Sequence, residues 1–167
     1  NTPFMIDTLR HSELYDPADY ADKRVALIGV GTIGSHLALT LARMQIPFTM
    51  YDPDTIEAHN LATQAYTRRD IGRYKVEAIQ RQCEDIGAEA GAVEAISRLY
   101  ESDSRDLRLF PHNLNIIVSC VDSIEARRTI AQQMRDIAVP IIDGRVGAEQ
   151  VEVYRYASAG AWLAGLP

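Results

Sequence analysis

Apolar positions along this chain fall into short continuous runs that alternate with stripes at helical spacing. Val25-Ala26-Leu27-Ile28 predicts a strand over residues 24–29, and Ile33, Leu37, Leu41 and Met44 then recur at steps of four, four and three, with His36 and Arg43 on other faces. Pro47 ends that helix, Phe48-Thr49-Met50-Tyr51 predicts a second strand, and Asp52-Pro53-Asp54 turns the chain away from its carboxyl end. Val76, Ile79, Cys83 and Ile86 mark a helix expected from near Gly72 to Gly87. Residues 92–97 read as a third strand and Asn115–Cys120 as a fourth, apolar enough to be buried on both faces. Ile130, Met134 and Ile137 predict a helix over 123–138, Val139–Ile142 a fifth strand, and the alternating Val151-Glu152-Val153-Tyr154 an antiparallel edge strand after a turn at Gly144–Gly147.

Parallel strands need crossover helices, and those helices cover both faces of the sheet. The pattern therefore predicts an α/β fold with a doubly wound, mostly parallel sheet and an antiparallel C-terminal edge strand. Residues 24–156 form the expected body. Residues 1–23 read as a polar arm in which Asp16-Pro17 separates two short helix-like pieces, the second at Ala18–Asp22, and 157–167 read as a surface tail rich in Ala and Gly.

The sharpest chemical signal lies between the first strand and first helix, at Gly29-Val30-Gly31-Thr32-Ile33-Gly34. Glycines permit a tight strand-to-helix turn and close backbone approach, so free N–H groups and the positive end of a helix meet phosphate oxygens. Asp52, which ends the next strand, is placed to hydrogen-bond a ribose. Strand, glycines, helix, second strand and terminal acid in this order predict a nucleotide site. Chance would supply the glycines alone.

Composition narrows the partners. There are 167 residues, enough for one domain with a sizeable core. Seventeen basic against 23 acidic residues leave a formal charge of -6, which argues against nonspecific attraction to nucleic acid. Lys23 and Lys75 are the only lysines, so Lys75 is the candidate for a point-charge phosphate contact. Cys83 and Cys120 are the only cysteines and form no CxxC pair, which excludes a disulfide framework and a four-thiolate zinc site as designs. Cys83 falls on an apolar stripe and is expected in the core. No apolar run approaches the ~20 residues of a membrane-spanning helix. With no secretory leader in view, the expectation is a cytoplasmic protein without zinc or membrane attachment.

The segment Asp52-Pro53-Asp54-Thr55-Ile56-Glu57-Ala58-His59-Asn60-Leu61-Ala62-Thr63-Gln64, followed by Asp70-Ile71-Gly72-Arg73-Tyr74-Lys75, resembles the ThiF/MoeB family, which is related to the ubiquitin-activating enzymes. Those proteins carry D-x-D-x-V/I-E-x-x-N-L-x-x-Q and then D-I/V-G-x-x-K. Val121-Asp122-Ser123-Ile124-Glu125-Ala126-Arg127-Arg128 is similar to the family's strand-end aspartate and following arginine, and the resemblance extends over about residues 24–153.

That resemblance implies a Rossmann-like fold and ATP-dependent adenylation of the C-terminal carboxylate of a small ubiquitin-like or sulfur-carrier protein, by a homodimer using Mg2+. It implies that Gly29, Gly31 and Gly34 form the phosphate-facing turn, Asp52 binds the ribose, Asn60 approaches phosphate, Lys75 neutralises phosphate charge and Asp122 holds magnesium. Arg10 lies in the arm from which family homodimers send an arginine to the partner's nucleotide, and solvation is its alternative. Each of the others also has a local reading. Asn60 fits the cap of a short helix, Lys75 taken alone a solvated side chain, and Asp122 with Glu125 a capping box for the 123–138 helix. Asp54 fits a role confined to bridging N–H groups in its turn.

Departures from the pattern qualify the activity. Thr63 stands where the family has an arginine, and Arg68, Arg69, Arg73 or Arg145 are the candidates to supply that charge. Neither cysteine resembles the catalytic thiol of ubiquitin-activating enzymes, so no thioester step is expected. Two other readings stay open: a non-catalytic nucleotide-binding assembly module, which Thr63 would suit, and an NAD-dependent oxidoreductase, which shares the glycines and Asp52.

Overall fold

The first strand, β1 (Arg24–Ile28), lies inside a six-stranded sheet because Val25, Ala26, Leu27 and Ile28 are all buried and demand cover on both faces. The computed structural model describes residues 6–7, 13–98, 113–147 and 149–167. Chain order continues through α1 (Gly34–Arg43), β2 (Phe48–Tyr51), α2 (Lys75–Ile86), β3 (Val93–Ile96), β4 (Leu114–Ser119), α3 (Ile124–Gln133), β5 (Ile141–Val146), β6 (Val151–Tyr156) and α4 (Ala159–Gly165). The sheet order is β3-β2-β1-β4-β5-β6, parallel from β3 to β5, with β6 antiparallel to β5.

This is the doubly wound architecture the hydrophobic pattern predicts. Alternate residues of the five parallel strands feed two cores. On one face Leu27, Phe48 and Met50 pack with Ala38 and Leu41 of α1 and Val76, Ile79 and Cys83 of α2. On the other, Ala26, Ile28, Tyr51, Ile117 and Ile141 pack with Ile130 and Met134 and with Trp162 of α4. Cys83 is fully buried, and burial pushes its thiol up to about 12, as its place on an apolar stripe predicts. Strand order reverses at β1, with β2 and β3 on one side and β4 and β5 on the other. That reversal opens a crevice between the carboxyl ends of β1 and β4, where ligands of such sheets bind.

Several boundaries differ from the sequence expectation, each for a local reason. In the arm, the helix-like piece expected at Ala18–Asp22 is a single 3-10 turn at Pro17–Tyr20, capped by Asp16. Helix α2 begins at Lys75 and not near Gly72, because Gly72 has φ +86° and Tyr74 is extended while this backbone pairs with Asp54–Ile56. The Gly72 N–H donates to Ile56 O at 2.8 Å, and the Lys75 N–H to Asp54 O at 2.9 Å. The fifth strand starts after Pro140, which has no N–H to give, and runs through Gly144 to Val146 because β6 pairs along that whole length. Between β5 and β6 the Gly147 N–H donates to Gln150 O at 2.8 Å.

The C-terminal segment is not a surface tail. Ser158 caps α4 by accepting from Ala161 N at 3.3 Å, and Trp162 is fully buried with its Nε1–H donating to Asp143 Oδ2 at 3.1 Å. Replacing Trp162 with Ala is expected to cost about 3–5 kcal/mol of unfolding free energy. Equilibrium denaturation in urea reads this directly, and a loss below about 1 kcal/mol would show that α4 is dispensable to the core.

Candidate functional site

At the carboxyl end of β1 the chain turns through Gly29 at φ +87°, a conformation that favours glycine. Close packing adds a second demand. A Cβ built on Gly29 would lie 3.0 Å from the Cys120 carbonyl carbon, and one on Gly34 only 1.9 Å from Gly29 O. Gly34 is thus the point where α1 meets the strand, whereas Gly31 has open space toward Gln64. No side chain caps the N-terminus of α1, so its positive end is left to a ligand or water.

The turn is held from β2. Asp52 Oδ2 accepts the Val30 N–H at 2.8 Å and Oδ1 accepts the Asp54 N–H at 2.9 Å, so one buried carboxylate fixes two loops. Burial pushes the Asp52 carboxyl above the usual carboxylate range, opposed by these two N–H groups and by Lys75. Tyr66 adds a second tie, its hydroxyl donating to Val30 O at 2.5 Å. Lys75 is not the solvated side chain its isolated position suggests. It is 7% exposed at the first turn of α2, and its Nζ meets Asp54 Oδ2 at 2.7 Å.

Across the crevice, β4 delivers Cys120, Val121 and Asp122. The capping-box reading of Asp122 with Glu125 is overturned, because Ser123 caps α3 by accepting from Ala126 N at 3.1 Å. Asp122 is left exposed at the rim, and it and Glu125 border the same hollow. Beyond β4, the fully buried Asp143 accepts from Arg127 Nε at 2.9 Å, Arg145 Nε at 2.9 Å and Trp162 Nε1.

These groups surround a hollow of about 800 Å³, in the range of nucleotide-sized sites. Gly29, Gly31, Asp52, Lys75 and Asp122 all line it. Gly34 does not, and serves the turn from behind. Asn60 also stays out of the lining: it is buried, and its Oδ1 accepts from Glu57 N at 2.8 Å in the capping box of a 3-10 turn at Ala58–Ala62, the cap its sequence allowed. Arg10 lies outside the described residues. Of the four arginines named as candidates to offset Thr63, Arg68, Arg69 and Arg73 border a separate depression and only Arg145 lines the hollow. Asp54, read from sequence as a turn residue, also pairs with Lys75, and Arg98 joins the lining without having been singled out, while Asp143 and Trp162 form an ionic node behind it. The D-x-D spacing was the available signal for Asp54, while the Asp143 contacts come from sequence-distant elements with no local signature.

The model of the ThiF family matches residues 16–160. The chain belongs to the ThiF family. Among curated relatives, this ThiF-family chain is 33% identical over 101 residues to the ATP-dependent ubiquitin transferase-like protein Cap2 of Vibrio cholerae, a match covering 56% of this chain and 17% of Cap2. It is 30% identical over 119 residues to ubiquitin-like modifier-activating enzyme 5 of Drosophila simulans, covering 65% of this chain and 30% of that enzyme. The chain therefore spans less than a third of the length of these relatives. In fold it is similar to E. coli tRNA N6-threonylcarbamoyladenosine dehydratase, TcdA, solved in complex with ATP, with a TM-score of 0.71 at 20% identity over 88% of this chain and 65% of that one. PaaA is a further structural neighbour, with a TM-score of 0.70 at 23% identity, covering 84% and 43%.

Two outcomes follow for this ThiF-family site. Gly34→Ala forces a Cβ into the Gly29 carbonyl, and a loss of about 3 kcal/mol or more is expected, because the obstacle is backbone that cannot rotate away. A melting temperature within about 2 °C of wild type would refute that contact. Asp52 has a folded-state pKa above its unfolded value, so in the window just above pH 4 the folded chain binds more protons, and the carboxylate's contribution to stability falls as pH rises. The melting-temperature difference between wild type and Asp52→Asn is expected to move in favour of the variant from pH 3.5 to 7; a difference constant across that range contradicts the burial assignment.

Proposed function

We propose that this chain binds ATP in the hollow and adenylates the C-terminal carboxylate of a small ubiquitin-like or sulfur-carrier protein, with release of pyrophosphate. The observation that carries this reading is the convergence of the glycine turn, Asp52, Lys75 and Asp122 on one hollow at the β1/β4 crevice. The names of the relatives, an ATP-dependent ubiquitin transferase-like protein and a ubiquitin-like modifier-activating enzyme, support the substrate class, and the ATP complex of TcdA supports the nucleotide.

In the reaction a carboxylate oxygen attacks the α-phosphorus, the bridging bond to the β-phosphate breaks, and its electron pair leaves with pyrophosphate. No proton has to move, so catalysis is positioning and charge compensation between two anions. The uncapped end of α1 and the Gly31 backbone face phosphate oxygens, and Asp52 turns toward the ribose while its two N–H bonds keep the loop rigid. Lys75 exchanges part of its contact with Asp54 for phosphate. Asp122 would hold Mg2+, which supplies neutralising charge when bound; a single exposed carboxylate suits an ion that usually takes one or two carboxylates together with phosphate oxygens and water. We propose a homodimer, with Arg10 reaching the partner's nucleotide. Cys120 takes no covalent part, since burial pushes its thiol up to about 12.

ATP/pyrophosphate exchange tests the proposal. Exchange is expected only with a carrier ending in Gly-Gly, and Asp122→Ala is expected to lower it by about 100-fold or more. Exchange untouched by that substitution contradicts the metal assignment. ATP binding with no exchange for any carrier supports the non-catalytic assembly module, the reading that Thr63 favours. In a thermal-shift panel ATP with magnesium is expected to stabilise the chain more than NAD, and the reverse order would favour the oxidoreductase reading.

A further inference from the structure

The hollow's own acids, Asp52, Asp54, Asp122 and Glu125, oppose a polyphosphate, so the cations that line it decide whether one is held. Lys75 is already paired with Asp54. Arg127 is 4% exposed and committed to Asp143, with further donation to the carbonyls of Val121 and Gly144. Arg98 follows β3, which lies beyond β2 and hence on the far side of Asp52 from the glycine turn. Arg145 differs from all three. It follows Gly144, where an added Cβ would stand 3.4 Å from Ile33 Cδ1, so its strand abuts the glycine turn. Arg145 lines the hollow, and its guanidinium lies over the Tyr154 ring at 4.5 Å and meets Asp143 Oδ2 through Nε at 2.9 Å and Nη2 at 2.8 Å.

One buried carboxylate thus faces two guanidinium groups, so the negative charge of Asp143 is shared between Arg127 and Arg145. Asp143 is fixed in turn by the indole N–H of Trp162 on α4. We infer that Arg145 is the cation that recognises the β- and γ-phosphates of the nucleotide, and that Asp143 and Trp162 are positioning residues that aim it from the C-terminal helix. This rests on the nucleotide reading of the hollow and assigns the charge that Thr63 does not provide.

Isothermal titration of the full chain with ATP plus magnesium and, separately, with AMP isolates the two outer phosphates. Arg145→Gln is expected to weaken ATP at least about 10-fold while leaving AMP within about twofold, because one charge-assisted contact is lost. Trp162→Phe keeps an aromatic, though smaller, side chain and removes the N–H; it is expected to weaken ATP about threefold and to have no further effect in the Arg145→Gln background. Wild type that binds ATP with no response to Arg145→Gln overturns this inference and leaves the nucleotide reading intact. Wild type that binds neither nucleotide overturns both. Equal weakening of ATP and AMP by Trp162→Phe, alongside a lower melting temperature, would reduce Trp162 to a packing role and overturn the positioning claim.

Discussion

One buried carboxylate organises the carboxyl edge of this sheet. Asp52 accepts an N–H from the turn after β1 and another from the turn after β2, so the glycine loop and the Asp54 turn hold a single relative position. Burial makes that carboxylate costly to ionise, and two N–H groups with Lys75 nearby oppose the cost. Everything downstream uses the resulting frame. Asp54 is placed to take Lys75, and Lys75 begins α2 where its own N–H meets the Asp54 carbonyl.

A mirror arrangement stands on the other side of the crevice. Asp143, with no access to solvent, gathers two arginines and a tryptophan from α3, β5 and α4. On the β2 side an acid and a lysine neutralise each other at the rim; on the β5 side acid and base do not balance. Between the two nodes, Asp122 and Glu125 border the hollow as acids.

The fold was largely legible because its strands are continuous apolar runs and its glycine turn has one physical use. Gly29 and Gly34 were readable as a tight turn, and close backbone contacts forbid a Cβ at either. What escaped were features set by distant partners. Asn60 joined a local capping box, a competing use of the same amide that sequence alone leaves open. Lys75 in isolation reads as solvated because nothing beside it announces Asp54, 21 residues earlier. The last helix was missed because Ala and Gly carry little periodic signal, although Ser158 as a cap and the lone tryptophan were there to be weighed. Asp143 shows most clearly that a buried ionic node drawn from three elements leaves no motif.

The central claim is that the β1/β4 crevice, with Asp52, Lys75 and Asp122 on its walls, is a binding site for ATP. Backbone amide shifts in a 15N NMR titration with ATP and magnesium address it most directly. The account predicts that the largest changes fall on Gly29–Gly34, Asp52, Asp54, Lys75 and Cys120–Asp122. Changes concentrated on the depression bordered by Arg68, Arg69 and Arg73, with the glycine turn silent, would contradict it.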